Sequence, residues 1–163
     1  MSYIVKVFAL PEKSDPIAKK IGAQIWLASC YLHDAKTLLE ARSRNAVNQL
    51  FYAVEALLIA TMTAEGLHIN RHQQHQLGAI LDTMPDENPW KPEFRPLEVL
   101  TGYATTYRYA TPGGRIPKAP PQADVEGWLT ATSRLLETAK MHFDVTVDTG
   151  EYNSMAGVID PPR

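Results

Sequence analysis

The chain has 163 residues, 16 Lys and Arg against 18 Asp and Glu, and a formal net charge of −2. That length suits one domain around a single core, and 45% hydrophobic with 21% charged residues excludes wholesale disorder, collagen and coiled-coil rods. The near-neutral balance argues against electrostatically driven binding to duplex DNA, and the single Cys, Cys30, allows no internal disulfide and points to a reducing, cytoplasmic setting.

The N-terminal stretch MSYIVKVFALPEK has neither a long apolar core nor a small-residue cleavage site, so no signal peptide is expected. All 12 Pro residues fall into groups that mark breaks between elements. The groups are Pro11 and Pro16; Pro85, Pro89, Pro92 and Pro96; Pro112, Pro117, Pro120 and Pro121; and Pro161 and Pro162. Ser14-Asp15-Pro16 supplies a capping side chain before a Pro at the first helical position. Apolar residues then recur at helical steps through Ile17, Ile21, Ile25, Ala28, Leu32, Ala35 and Leu39, which predicts a helix over about residues 16–41.

A second helix is expected over about residues 46–65, with Gly66 as its terminating C′ residue. It is long and apolar enough to suggest a membrane span. It carries Asn48, Gln49 and a central Glu55, however, which hydrocarbon penalises, so it reads as the centre of a soluble bundle. Residues 72–84 read as a shorter third helix with Leu77, Ile80 and Leu81 on one side. Residues 94–109 carry Leu97, Leu100, Tyr103 and Ala104 at helical steps, and Thr111 to Pro117 follows as a loop. The last helix opens near Ala123-Asp124, with Asp124 as cap, and fades near Phe143. Residues 3–8 and 143–147 are short β-like runs that would pair only as a small ribbon. The sum is an all-α single domain, a bundle of four main helices with one short extra element. An arm over residues 1–13 precedes the bundle (14–145), and a tail over residues 146–163 follows it.

Several chemistries find little support. Gly113-Gly114-Arg115 does not follow a strand and reads as a plain turn. Cys30 shares a helical run with Trp26 and His33, where a free Cys packs as a small apolar residue, and no nucleophile elbow is present. His68, His72 and His75 with Glu65 suggest a metal site, but the ligand set is incomplete and Gly66 interrupts it, so neither a metal nor a cofactor is expected. The group Tyr107, Arg108 and Tyr109 is more informative, because Tyr rings and a guanidinium can stack on bases and clamp a phosphate. The competing reading packs the Tyr rings into the bundle and leaves Arg108 to cap a helix end.

The second helix reads Phe51-Tyr52-Ala53, then Ala56-Leu57-Leu58, and Gly66 and His72 or His75 follow; in this the chain resembles the HEPN domain over about residues 17–142. The resemblance implies an antiparallel up-and-down four-helix bundle, usually a homodimer, from toxin and defence systems. It also implies either metal-independent ribonuclease activity or binding of nucleotides, in some members beside a nucleotidyltransferase partner. Ribonuclease members carry an Arg followed, after four to six residues, by a His, for proton transfer and charge stabilisation. Here Gly113, Gly114 and Arg115 stand where that His would follow Arg108. The expected site is therefore an anion-binding set of Tyr107, Arg108, Tyr109 and Arg115 with His75, in a module that binds nucleotide or RNA. The alternatives are a ribonuclease that uses a displaced His such as His75, and a pure protein–protein interaction module.

Overall fold

The computed structural model describes residues 15–147, and every regular element among them is helical. The N-terminal arm, its β-like run at residues 3–8 and the tail from residue 148 onward lie outside the described residues. Residues 143–147, the other half of the expected ribbon, form a turn and irregular chain.

α1 runs Pro16–Glu40, opened by the Asp15 side chain, which accepts from the Ile17 N–H at 2.8 Å. Its expected stripe is the buried one: Ile21, Ile25, Ala28, Leu32 and Ala35 face inward, while Ile17 at the helix start stays exposed. α2 runs Ala46–Ala64 and ends as expected at Gly66, whose φ is +68°. There the Leu67 N–H reaches back to the Met62 carbonyl at 2.9 Å and the Gly66 N–H to Thr63 at 3.2 Å. These two bonds satisfy carbonyls that a helix end leaves orphaned. The same device ends α1 at Arg42 (φ +54°). α1 packs along α2, and α5, Gln122–His142, lies against both. α5 starts with Pro121 rather than a side-chain cap, so Asp124 sits inside its first turn.

α2 is the centre of the molecule. It is the one described helix long and apolar enough to cross a membrane, yet 78% of that stretch is buried within the fold. Leu50, Phe51, Leu57, Leu58 and Met62 are almost fully enclosed, each stabilising the fold by about 1.5–3 kcal/mol through burial. Two of its buried polar residues have distant partners: Asn48 Nδ2 donates to the carbonyls of Tyr103 (2.8 Å) and Ala104 (2.9 Å), and Glu55 is engaged by His75.

Between α2 and α5 the chain departs from the expected pair of continuous helices. Residues 72–84 form a 3₁₀ turn, Arg71–Gln73, and then α3, Leu77–Leu81. The break is His75, held at φ +63°, a conformation no right-handed helix contains. Residues 94–109 become α4, Lys91–Phe94, a 3₁₀ stretch Arg95–Tyr103 and a 3₁₀ turn Thr106–Arg108. Pro96 has no N–H to offer the carbonyl four residues back. Further along, the Tyr103 and Ala104 carbonyls accept from Asn48, and the Tyr107 carbonyl from Arg44, in place of helical partners. The 3₁₀ stretch packs on α2, α3 and α4 through Leu97 and Leu100.

Candidate functional site

Tyr107 and Arg108 are adjacent in sequence and opposite in role. Tyr107 is buried, its hydroxyl donates to the Arg44 carbonyl at 2.8 Å, and the Arg44 guanidinium lies 4.2 Å over its ring. Arg44 also donates to the carbonyls of Tyr107 (3.2 Å) and Pro117 (2.8 Å). Tyr107 is thus a bolt between the α1–α2 turn and the loop after residue 109, the packed arrangement that the competing reading of its ring describes. Its ring and hydroxyl are consumed by packing.

Arg108 turns the other way. Its Nη1 donates to the Tyr52 hydroxyl at 3.1 Å, and its guanidinium stands 5.9 Å from the ring of Tyr109, which is 64% exposed. Tyr52 projects from α2 and meets the imidazole of His75 edge to face, with centroids 6.5 Å apart. His75 is in turn fixed by Glu55, one helical turn after Tyr52. The His75 backbone N–H donates to Oε1 at 2.8 Å, and Nδ1 lies 3.1 Å from both carboxylate oxygens.

That pairing has a chemical consequence. A carboxylate only accepts, so the contact places a proton on Nδ1 and leaves Nε2 as the ring's open nitrogen. The Glu55 side chain is 10% exposed and the His75 side chain 49%, so a buried carboxylate orients a half-exposed imidazole. The bond from the His75 N–H to Glu55 also accounts for the left-handed backbone there. A helical His75 would direct that N–H along the helix axis instead.

The structure therefore sets two of the expected residues, His75 and Arg108, against the same side chain, Tyr52, with Tyr109 beside Arg108. Arg115 is exposed on a turn in which the Thr111 N–H donates to the Arg115 carbonyl (2.8 Å) and Gly114 has φ +74°. It is the plain turn expected of the glycine pair. Three further residues belong to the cluster although their types alone did not single them out. Glu55 and Tyr52 were visible only as a polar interruption and an aromatic in an apolar helix. Tyr31 meets Tyr52 with ring centroids 5.4 Å apart, and burial, then Tyr52, Cys30, Glu55 and Asp34, push its hydroxyl above the usual tyrosine range. A buried Glu at the middle of an apolar helix was the signal that a partner had to exist.

His68, His72, His75 and Glu65 do not gather into a group able to hold a metal among the described residues. Burial, then the neighbouring Asp34, pushes the Cys30 thiol up to about 11, which keeps it protonated and poorly nucleophilic at neutral pH. A cavity of about 140 Å³ opens at the N-terminal end of α2, lined by Arg42, Ser43, Arg44, Val47, Pro120 and Val125 among others.

Comparison of the chain with protein-family models, with curated proteins and with solved structures finds no match.

Proposed function

We propose that the chain is a HEPN-like helical module, a homodimer in solution, that binds the phosphate of a nucleotide or RNA through Arg108 and His75. One observation carries this reading: two residues 33 positions apart converge on a single side chain, that of Tyr52, at a half-exposed surface. Arg108 offers a planar fork of donors suited to phosphate oxygens. Tyr109 is exposed beside it as a stacking face for a base. The all-helical fold and its Gly66-terminated central helix are compatible with the HEPN-like, four-helix form of the reading.

The Glu55–His75 pair favours a second reading, a metal-independent ribonuclease. A carboxylate that holds Nδ1–H leaves Nε2 to take the proton of a ribose 2′-hydroxyl as its oxygen bonds to the adjacent phosphorus, and to return that proton to the 5′-oxygen as the P–O5′ bond breaks, while Arg108 offsets the charge that develops on the phosphate oxygens. Both readings are tested by one experiment. Labelled RNA is titrated with wild type, Arg108→Ala, His75→Ala and Glu55→Gln in excess EDTA, and the mixtures are then resolved on a gel. Binding reduced about tenfold or more by Arg108→Ala, the scale of one charge-assisted hydrogen bond, supports the binding site. Binding unchanged in both Arg108→Ala and His75→Ala refutes it. Cleavage by wild type that disappears in His75→Ala and is reduced in Glu55→Gln makes the module an enzyme.

A further inference from the structure

We propose that the cavity where α1, α2 and α5 meet is a binding site for a small carboxylate with an apolar body of about six carbon atoms. The site is separate from the Arg108–His75 cluster and goes beyond the reading given for it.

The walls follow from the way the chain turns. α1 ends at Glu40, the left-handed Arg42 reverses the chain, and α2 packs back along α1. The Arg44 guanidinium in that turn donates to the Pro117 carbonyl at 2.8 Å, which brings Ala119, Pro120 and the start of α5 against the same turn. Ala46 and Ala119 offer only methyl groups there, and Pro120 and Pro121 fix the backbone that passes by. A space of about 140 Å³ is left between these elements.

The inner walls set the size of what fits. Ala46, Val47 and Val125 are buried and Leu39 is half-buried, so the interior is apolar. An apolar cavity of comparable volume admits a six-carbon ring. Pockets for drug-sized molecules are at least about 300 Å³, so a whole nucleotide does not fit.

The rim sets the charge. The two charged residues of the lining are both arginines, Arg42 and Arg44, and no carboxylate lines the cavity. Arg44 is half-buried, and its Nη2 is spent on the carbonyls of Tyr107 and Pro117. Its Nη1 and Nε hydrogens have no acceptor among the described residues. Lys91, Arg95, Arg134 and Lys140 each have an acid within ion-pair distance, whereas Arg42 and Arg44 have none among those residues. Withdrawing a cation from water without a counter-charge is costly, and a carboxylate at the rim would supply both the charge and the charge-assisted acceptor. α2 and α5 also begin at the cavity without a capping side chain, so their positive ends add to the same field. A neutral apolar molecule would leave the arginines unmatched, and a bare phosphate would leave the apolar walls unmatched.

The test is nuclear magnetic resonance of the methyl-labelled full chain, with benzoate as the probe and the Val47 and Val125 methyl signals as the readout. Benzoate is expected to shift both along one saturable curve. Benzamide, which keeps the shape and removes the charge, is expected to bind about tenfold more weakly or worse, the scale of one charge-assisted hydrogen bond. Inorganic phosphate, which keeps the charge and removes the apolar body, is expected to be weaker by at least as much. Two variants locate the site. Arg42→Gly keeps the turn, because glycine adopts the φ of +54° without strain, and is expected to weaken benzoate about tenfold. Ala119→Leu changes an exposed residue of the rim, fills the cavity from outside and is expected to abolish binding. Neither residue belongs to the Arg108–His75 cluster, so the two proposals fail separately. Benzamide or phosphate binding as tightly as benzoate overturns the assignment of the ligand. Benzoate affinity unchanged in either variant, or shifts at His75 and Tyr52 with Val47 and Val125 silent, overturns the site.

Discussion

At the scale of single residues, the same side-chain type does different work according to what the backbone places beside it. Tyr107 is a bolt and Tyr109 a free face, although only Arg108 separates them. Cys30 illustrates how burial settles reactivity. Its thiol is raised from 9.0 to about 11, so the folded state holds that proton more tightly than the unfolded chain does. The sign follows: stability from this group is fully present below pH 9.0 and is lost as pH rises through about 11, with the raised Tyr31 hydroxyl adding to the same loss. Urea unfolding across that alkaline window is expected to show the decline, shallower in Cys30→Ala. In native protein at neutral pH, Cys30 is expected to react with a thiol reagent far more slowly than in urea; equal rates would contradict its protonated, half-buried state.

At the scale of elements, α1, α2 and α5 were legible because each writes its face in apolar residues at helical spacing, and because Asp15, Pro16 and Gly66 punctuate the chain by local chemistry. The segments between α2 and α5 were not legible in the same way. Their apolar spacing is helical, but their conformation is decided by side chains distant in sequence. Glu55 takes the His75 N–H out of any helix, while Asn48 and Arg44 take the carbonyls of residues 103, 104 and 107. The site was half legible for the same reason: His75 and Arg108 stood out by type, whereas Tyr52 and Glu55 became functional candidates only once the fold set them between those two. Asn48→Ala tests this dependence on distant side chains. It strands one buried and one part-buried carbonyl and is expected to cost about 1–3 kcal/mol in chemical denaturation, with the 3₁₀ stretch Arg95–Tyr103 losing amide-exchange protection before α1 or α2. A loss spread evenly over all helices would show that Asn48 does not pin that stretch.

At the scale of the whole molecule, an average composition conceals an uneven distribution. The net charge of −2 is spread so that acids pair with Lys91, Arg95, Arg134 and Lys140 on other surfaces and leave the α1–α2 turn and the 104–121 segment purely basic. The apolar helix that a hydropathy scan would send into a membrane is instead the buried axis from which Asn48 holds the carbonyls of Tyr103 and Ala104 and from which Tyr52 and Glu55 meet Arg108 and His75. The proposed function depends on His75 and Arg108 acting on one ligand phosphate. The most direct measurement is nuclear magnetic resonance of isotopically labelled protein titrated with a short oligoadenylate, following the His75 imidazole and Arg108 guanidinium signals together. Both signals are expected to shift with one common affinity, and Tyr52→Phe, which keeps the ring and removes the hydroxyl that Arg108 holds, is expected to weaken that affinity while both signals still respond. Shifts confined to residues away from α2, or His75 and Arg108 responding with separate affinities, would contradict a shared phosphate site.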